Sequence, residues 1–165
     1  MTLFLGTHQN KLDAKGRVSI PALFRARLKA CGESNGTQRT DGAEPVGAPM
    51  VLRPSHQFPC IEVWTERDFA NLSAQVAVLD RFSPERRDLA TALFSDAYQI
   101  ETDKEGRIVL PEDLVVHAGL DKEVTFMGAG DTFEIWEPAR CARRREEARA
   151  ASREQGFTLR GAVPS

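Results

Sequence analysis

The sequence predicts a mainly β fold with helices (α+β), built from one hairpin–helix–two-strand unit present twice. Three observations predict it. Residues 12–28, LDAKGRVSIPALFRARL, align on 102–118, TDKEGRIVLPEDLVVHA, at an offset of 90, with Asp13/Asp103, Gly16/Gly106, Arg17/Arg107 and Pro21/Pro111 identical. A second block follows in each copy, IEVWT at 61–65 over FEIWE at 133–137, at an offset of 72. The first copy therefore holds 18 extra residues between its two blocks. Self-similarity of this kind marks one supersecondary unit that must stack on its copy to bury its apolar face.

Each unit reads in the same order. Asp-x-x-Gly-Arg is a turn: the Asp carboxylate accepts backbone N–H bonds and the Gly takes a left-handed conformation. Alternating apolar residues follow, Val18 and Ile20 in one copy, Ile108 and Leu110 in the other, so each turn is expected to close a β-hairpin. Pro21 and Pro111 stand at first helical positions. Helices are expected over 22–28 and 112–118, the second ending at Gly119. Two strands complete each unit, 50–53 and 60–64, then 123–127 and 132–136. The extra length falls in 31–49, rich in Gly, Pro, Ser and Thr, and reads as a flexible surface loop.

Between the copies, Phe69, Leu72, Val76 and Leu79 follow helical spacing, with Thr65 and Asp68 placed to cap the start. Ser83-Pro84-Glu85 marks a second helix start. A third helix, poor in large apolar residues, is expected after Pro138, and the final GFTLRGAVPS is expected to be poorly ordered. The organisation is thus 7–67, first repeat; 68–96, helical connector; 97–140, second repeat; 141–165, charged helix and tail.

Charge separates the copies. Residues 1–30 carry Lys11, Lys15, Arg17, Arg25, Arg27 and Lys29 against Asp13 alone, a net +5, whereas residues 101–125 carry a net −4. The total of −2 hides this contrast. Neutralising phosphates needs clustered cations, which only the first copy supplies. A twisted β-ribbon fits a major groove, where Arg and Lys reach guanine edges. Lys15 and Arg17, at the turn, are the candidate DNA contacts, with Lys11 beside them. Arg25, Arg27 and Lys29 fit two readings equally, phosphate contact or the solvated face of a short helix. Asp13, Asp103 and Arg107, with Gly16 and Gly106, read as structural: paired charges and left-handed glycines that pin the turns.

Other chemistry finds no support in the pattern. Cys31, Cys60 and Cys141 form no C-x-x-C pair and suit a reducing cytoplasm. His8, His56 and His117 lack metal-ligand spacing, so neither metal nor cofactor is expected. Trp64 and Trp136 occupy equivalent positions and read as paired core anchors. No nucleophile elbow, P-loop or dinucleotide fingerprint occurs, which argues against an enzyme with a small-molecule substrate. No signal peptide or membrane span is expected. Arg143, Arg144 and Arg145 are followed by Glu146 and Glu147, and read as a solvated or subunit-facing helix.

The segments FLGTHQNKLDAKGRVSIPALFRARL, CIEVWTERDF, ERRDLATALFSDA, DKEGRIVLPEDL, HAGL, EVTFMG and FEIWEPA, in this order over about residues 4–140, resemble the bacterial MraZ family. The resemblance implies two tandem SpoVT–AbrB domains forming a swapped-hairpin-type β-barrel. It further implies a ring-shaped homo-oligomer and a cytoplasmic, nucleoid-associated transcription regulator. Such a regulator represses its own promoter, ahead of division and cell-wall genes, by binding short direct repeats in double-stranded DNA. In the family the N-terminal motif faces DNA, which carries onto Lys15 and Arg17. The long 31–49 loop and short tail depart from the family pattern. An alternative is an antitoxin-like protein-interaction module of the AbrB type; the arginine-rich C-terminal segment, short of apolar anchors, disfavours toxin docking.

Overall fold

A computed structural model describes residues 3–33 and 47–156. The first repeat contributes β1 (Thr7–Lys11), β2 (Arg17–Ser19), α1 (Ala22–Glu33), β3 (Pro49–Pro54) and β4 (Ile61–Trp64). The connector forms α2 (Glu66–Val76) and α3 (Pro84–Phe94). The second repeat contributes β5 (Tyr98–Glu101), β6 (Arg107–Val109), α4 (Glu112–Ala118), β7 (Glu123–Gly128) and β8 (Thr132–Trp136), and α5 (Pro138–Glu154) ends the described chain. The α+β class and the duplicated element order are as the sequence predicts.

Helix boundaries follow the expected chemistry. Thr65 caps α2 by accepting the Asp68 N–H, and Ser83 caps α3 by accepting the Arg86 N–H. Gly119 closes α4 in the left-handed conformation, φ 63°. α1 runs past its expected end to Glu33, which puts Cys31 inside the helix and buries it. The surface-loop reading of 31–49 is corrected at both ends, because Pro49 opens β3. Residues 34–46 of that loop, and 157–165 of the tail, lie outside the described residues.

The expectation of two local hairpins is overturned. Each turn forms, but the strands it joins part company: β1 pairs antiparallel with β7 of the other repeat, and β2 pairs with β6. β5 likewise pairs with β3, and β4 with β8. The result is a six-stranded antiparallel sheet, β1-β7-β8-β4-β3-β5, facing a two-stranded ribbon, β2-β6. The β1–β7 ladder continues to Leu12, whose N–H donates to Lys122 O (2.8 Å). Exchange is favoured because each half-unit leaves an apolar strand face bare, and pairing with the copy covers both at once. Val18, Ile20, Ile108 and Leu110 from the ribbon, Val124, Phe126, Phe133 and Ile135 from the sheet, and Phe24, Leu28 and Leu114 from α1 and α4 share one core. Phe4, ahead of β1, is buried against Phe24 and Phe133 (centroids 5.4 and 5.0 Å).

The two tryptophans are not a pair of equal core anchors. Trp136 is buried with Cys60 and Cys141 beneath α5, whereas Trp64 is half-buried and meets Phe69 of α2 edge-on. Each nonetheless packs against the helix that follows its own strand. Beside them, Arg53 is 1 % exposed and ion-paired with Glu62 across β3–β4, a buried charge that the sequence does not announce.

Candidate nucleic-acid interface

The two Asp-x-x-Gly-Arg turns are built alike. Asp13 Oδ1 accepts the N–H groups of Lys15 (2.9 Å) and Arg17 (2.8 Å), and Asp13 O accepts that of Gly16 (3.0 Å). Asp103 Oδ1 accepts the N–H groups of Glu105 (2.8 Å) and Arg107 (2.9 Å), and Asp103 O accepts that of Gly106 (3.1 Å). Gly16 and Gly106 sit at φ +80° and +79°, where a Cβ is strained. The backbone bond from Arg17 comes first among the contacts holding the Asp13 carboxyl below its ordinary range, followed by the Arg17 side chain. For Asp103 the backbone bond from Arg107 likewise comes first. Both carboxylates are therefore ionised at neutral pH. The turn-forming contribution they make is complete above the ordinary carboxylate range and is lost only as acid titrates them below it.

The arginines differ in what is left free. Arg17 Nε donates to Asp13 Oδ2 at 2.7 Å, and among the described residues its two terminal amino groups have no further protein partner. Arg107 Nε donates to Asp103 Oδ2 at 3.2 Å, but its Nη2 is also held by Glu105 Oε2 at 2.8 Å. Lys15 stands where the second copy has Glu105. The charge contrast read from the sequence therefore becomes a difference in available donors: one guanidinium edge is open, the other partly spent.

The ribbon sets the face on which these groups lie. Val18 is opposite Ile108, and both point into the core. Successive side chains on a strand alternate faces, so Arg17 and Ser19 of β2 and Arg107 and Val109 of β6 lie on the outward face. Arg17 is directly opposite Val109, and Ser19 directly opposite Arg107. The ribbon brings Lys15 and Arg17 together at one end and places Arg107 on the same face, two positions diagonal to Arg17. Sequence reasoning did not include Ser19 and Val109, although the alternation set by Val18 and Ile20 already turned them outward.

The remaining basic residues within 1–30 lie on β1 and α1. Lys11 is exposed on β1 opposite Glu123, which accepts a hydrogen bond from Gln9 (2.8 Å). Arg27 is half-buried and Lys29 exposed on α1. Arg25 reaches across to the second repeat: its guanidinium lies against Gly106, where any Cβ would overlap it, and its buried Nε has no hydrogen-bond partner among the described residues. No group of three His, Cys, Asp or Glu side chains among the described residues is placed to hold a metal ion. None of the described helices is long and apolar enough to cross a membrane.

Comparison with known proteins gives this geometry a family. The family model described as "MraZ protein, putative antitoxin-like" matches residues 3–33 and 93–159. The chain is 53 % identical over 161 residues to a transcriptional regulator MraZ of Gluconacetobacter diazotrophicus, covering 98 % of this chain and 95 % of that protein. The chain belongs to the MraZ family. Similar relatives bearing the same name include those of Gluconobacter oxydans, 52 % identical over 93 % of this chain and 87 % of that protein, and Rickettsia akari, 35 % identical over 98 % and 99 %. The MraZ family model covers both Asp-x-x-x-Arg turns with their flanking strands: the first turn lies inside the first matched stretch and the second inside the other. The stretch it leaves unmatched, 34–92, contains most of the segment 31–49 that holds the extra length of the first repeat.

Proposed function

We propose that this chain is a sequence-specific DNA-binding transcriptional regulator without catalytic activity. The observation that carries the reading is the Arg17 guanidinium, braced at Nε by Asp13 with its terminal edge open on an outward two-stranded ribbon. A planar fork held at one edge suits bidentate donation to guanine O6 and N7. Lys15 stands beside it at the turn. Lys11 and Arg27 supply further cations of the first repeat for phosphates, while Arg25 combines a position on the same helix as Arg27 with packing on the second turn. The name that the relatives bear, transcriptional regulator MraZ, supports the same reading.

One chain offers a single basic turn, and so few phosphate contacts. Useful affinity then calls for several copies acting together on repeated sites, in keeping with a ring-like homo-oligomer on short direct repeats. Repression of its own promoter is the regulatory role that follows from the family resemblance. The antitoxin-like alternative needs a C-terminal segment that folds on a partner. α5 buries only Cys141, and it carries Arg143, Arg144, Arg145, Arg149 and Arg153, with Arg144 stacked on Phe58 of its own fold at 4.2 Å. That composition favours the DNA reading.

Footprinting on DNA upstream of its own gene tests the proposal. The expected result is a set of evenly spaced protected repeats. Absence of protection at concentrations where the protein binds no better than to unrelated DNA would overturn it.

A further inference from the structure

The ribbon register places a second-repeat side chain inside the first repeat's reading surface. Val109 is directly opposite Arg17, is 60 % exposed, and is among the large hydrophobic side chains left in solvent. It also flanks the turn itself: a Cβ built on Gly16 would lie 3.9 Å from Val109 Cγ1. Directly opposed residues on a strand pair have Cβ atoms about 5 Å apart, between one and two base steps of about 3.4 Å each, so the two side chains can reach neighbouring bases. The repeat-equivalent residue is Ser19, so the outward face is not two-fold symmetric in chemistry: one position of the dyad is apolar and the other hydroxylic. A branched apolar side chain held in water beside a guanine-directed arginine has a natural counterpart in the major groove, the C5-methyl group of thymine.

We infer that Val109 is a specificity-determining residue, selecting a thymine adjacent to the guanine that Arg17 reads by packing its methyl groups on the thymine methyl. The inference rests on the DNA-reading assignment of Arg17 and adds a base and a residue to it. It also gives the acidic repeat a share in recognition that charge alone denies it.

The test uses the full chain and a duplex that the wild-type protein selects from a random pool. The guanine is located as the position whose preference Arg17→Ala relaxes. A neighbouring thymine is then replaced by deoxyuridine, which removes only the methyl, and binding of wild type and Val109→Ala is measured on both duplexes. Burial of one methyl is worth roughly fourfold in affinity. The deoxyuridine duplex is expected to bind wild type about fourfold more weakly, Val109→Ala to lose a similar factor on the thymine duplex, and the two losses not to add. Additive losses, no loss from deoxyuridine in wild type, or no thymine beside the guanine would each overturn the role of Val109. If Arg17→Ala binds the selected duplex as wild type does, the reading-face assignment itself fails. Loss in Arg17→Ala with an additive Val109 cycle removes only the present inference. Thermal melts of Val109→Ala establish that the variant is folded, and the wild-type deoxyuridine measurement decides without it.

Discussion

Glu105 Oε2 lies 2.8 Å from Arg107 Nη2, and Lys15 occupies the matching place beside Arg17. This single exchange separates two turns whose backbone hydrogen bonds are nearly identical. A carboxylate at that position takes up a donor that would otherwise stay free; an ammonium leaves the donor open and adds a cation. Lys15→Glu is therefore expected to weaken specific DNA binding more than Lys15→Ala does. The excess is about tenfold, the worth of one charge-assisted hydrogen bond. Anisotropy titrations of the two variants check this, with circular dichroism expected to show no change in fold.

Arg17→Ala removes the open fork. The expected loss is about 1–3 kcal/mol of discrimination for each Arg–guanine pair, with residual, sequence-independent binding retained. Binding of the wild type is expected to fall steeply with salt, whereas Arg17→Ala changes the salt slope by no more than about one charge per bound copy. Titrations at several salt concentrations separate the two effects. Equal affinity of variant and wild type for the selected site would remove Arg17 from the interface.

Much of this was legible in the sequence because it is local. The Asp13 and Asp103 carboxylates cap turns within four residues of themselves, and Gly16 and Gly106 answer a backbone requirement at one position each. Thr65 and Ser83 cap helices in the same short-range way. The strand exchange was not legible from the residues: nothing within a window around Leu12 states that its N–H meets Lys122, more than a hundred positions away. The family resemblance, not the pattern, supplied that expectation. Arg53 and Val109 show the same limit from opposite sides. A strand arginine reads as exposed until Glu62 is placed opposite it, and an outward valine reads as ordinary until register puts it beside Arg17.

Arg25 is expected to act between the repeats. Gly106→Ala would set a Cβ at φ +79°, at about 1–2 kcal/mol for the left-handed conformation, and would also displace the Arg25 guanidinium. Gly16→Ala meets the same strain at φ +80°, but its nearest contact, Leu110 O, is at 3.4 Å. Gly106→Ala is thus expected to destabilise more than Gly16→Ala, and Arg25→Ala to relieve the excess. Urea denaturation of the two single variants and the double variant checks the coupling. Purely additive losses would mean that Arg25 moves aside freely, leaving it available for phosphates.

Glu134 supplies a pH-dependent prediction away from the β2–β6 ribbon. It stands directly opposite Glu62 on β4, and Trp136 Nε1 donates to its Oε1 at 3.0 Å. Burial chiefly, with the Glu62 charge adding to it, pushes its carboxyl above the ordinary range, against the opposing effects of the Trp136 bond and Arg144. A carboxyl whose folded pKa is raised binds its proton more tightly in the folded state. Folding therefore loses stability as pH rises from the unfolded carboxylate range through the folded pKa. Glu134→Gln keeps an acceptor for Trp136 and removes the charge. It is expected to raise Tm at pH 7, on the order of 2 °C, and the gain is expected to shrink as pH falls into the carboxylate range. Thermal melts from pH 4 to 7 check both: a Glu134→Gln gain that failed to shrink towards acid would show that the carboxylate is satisfied where it lies.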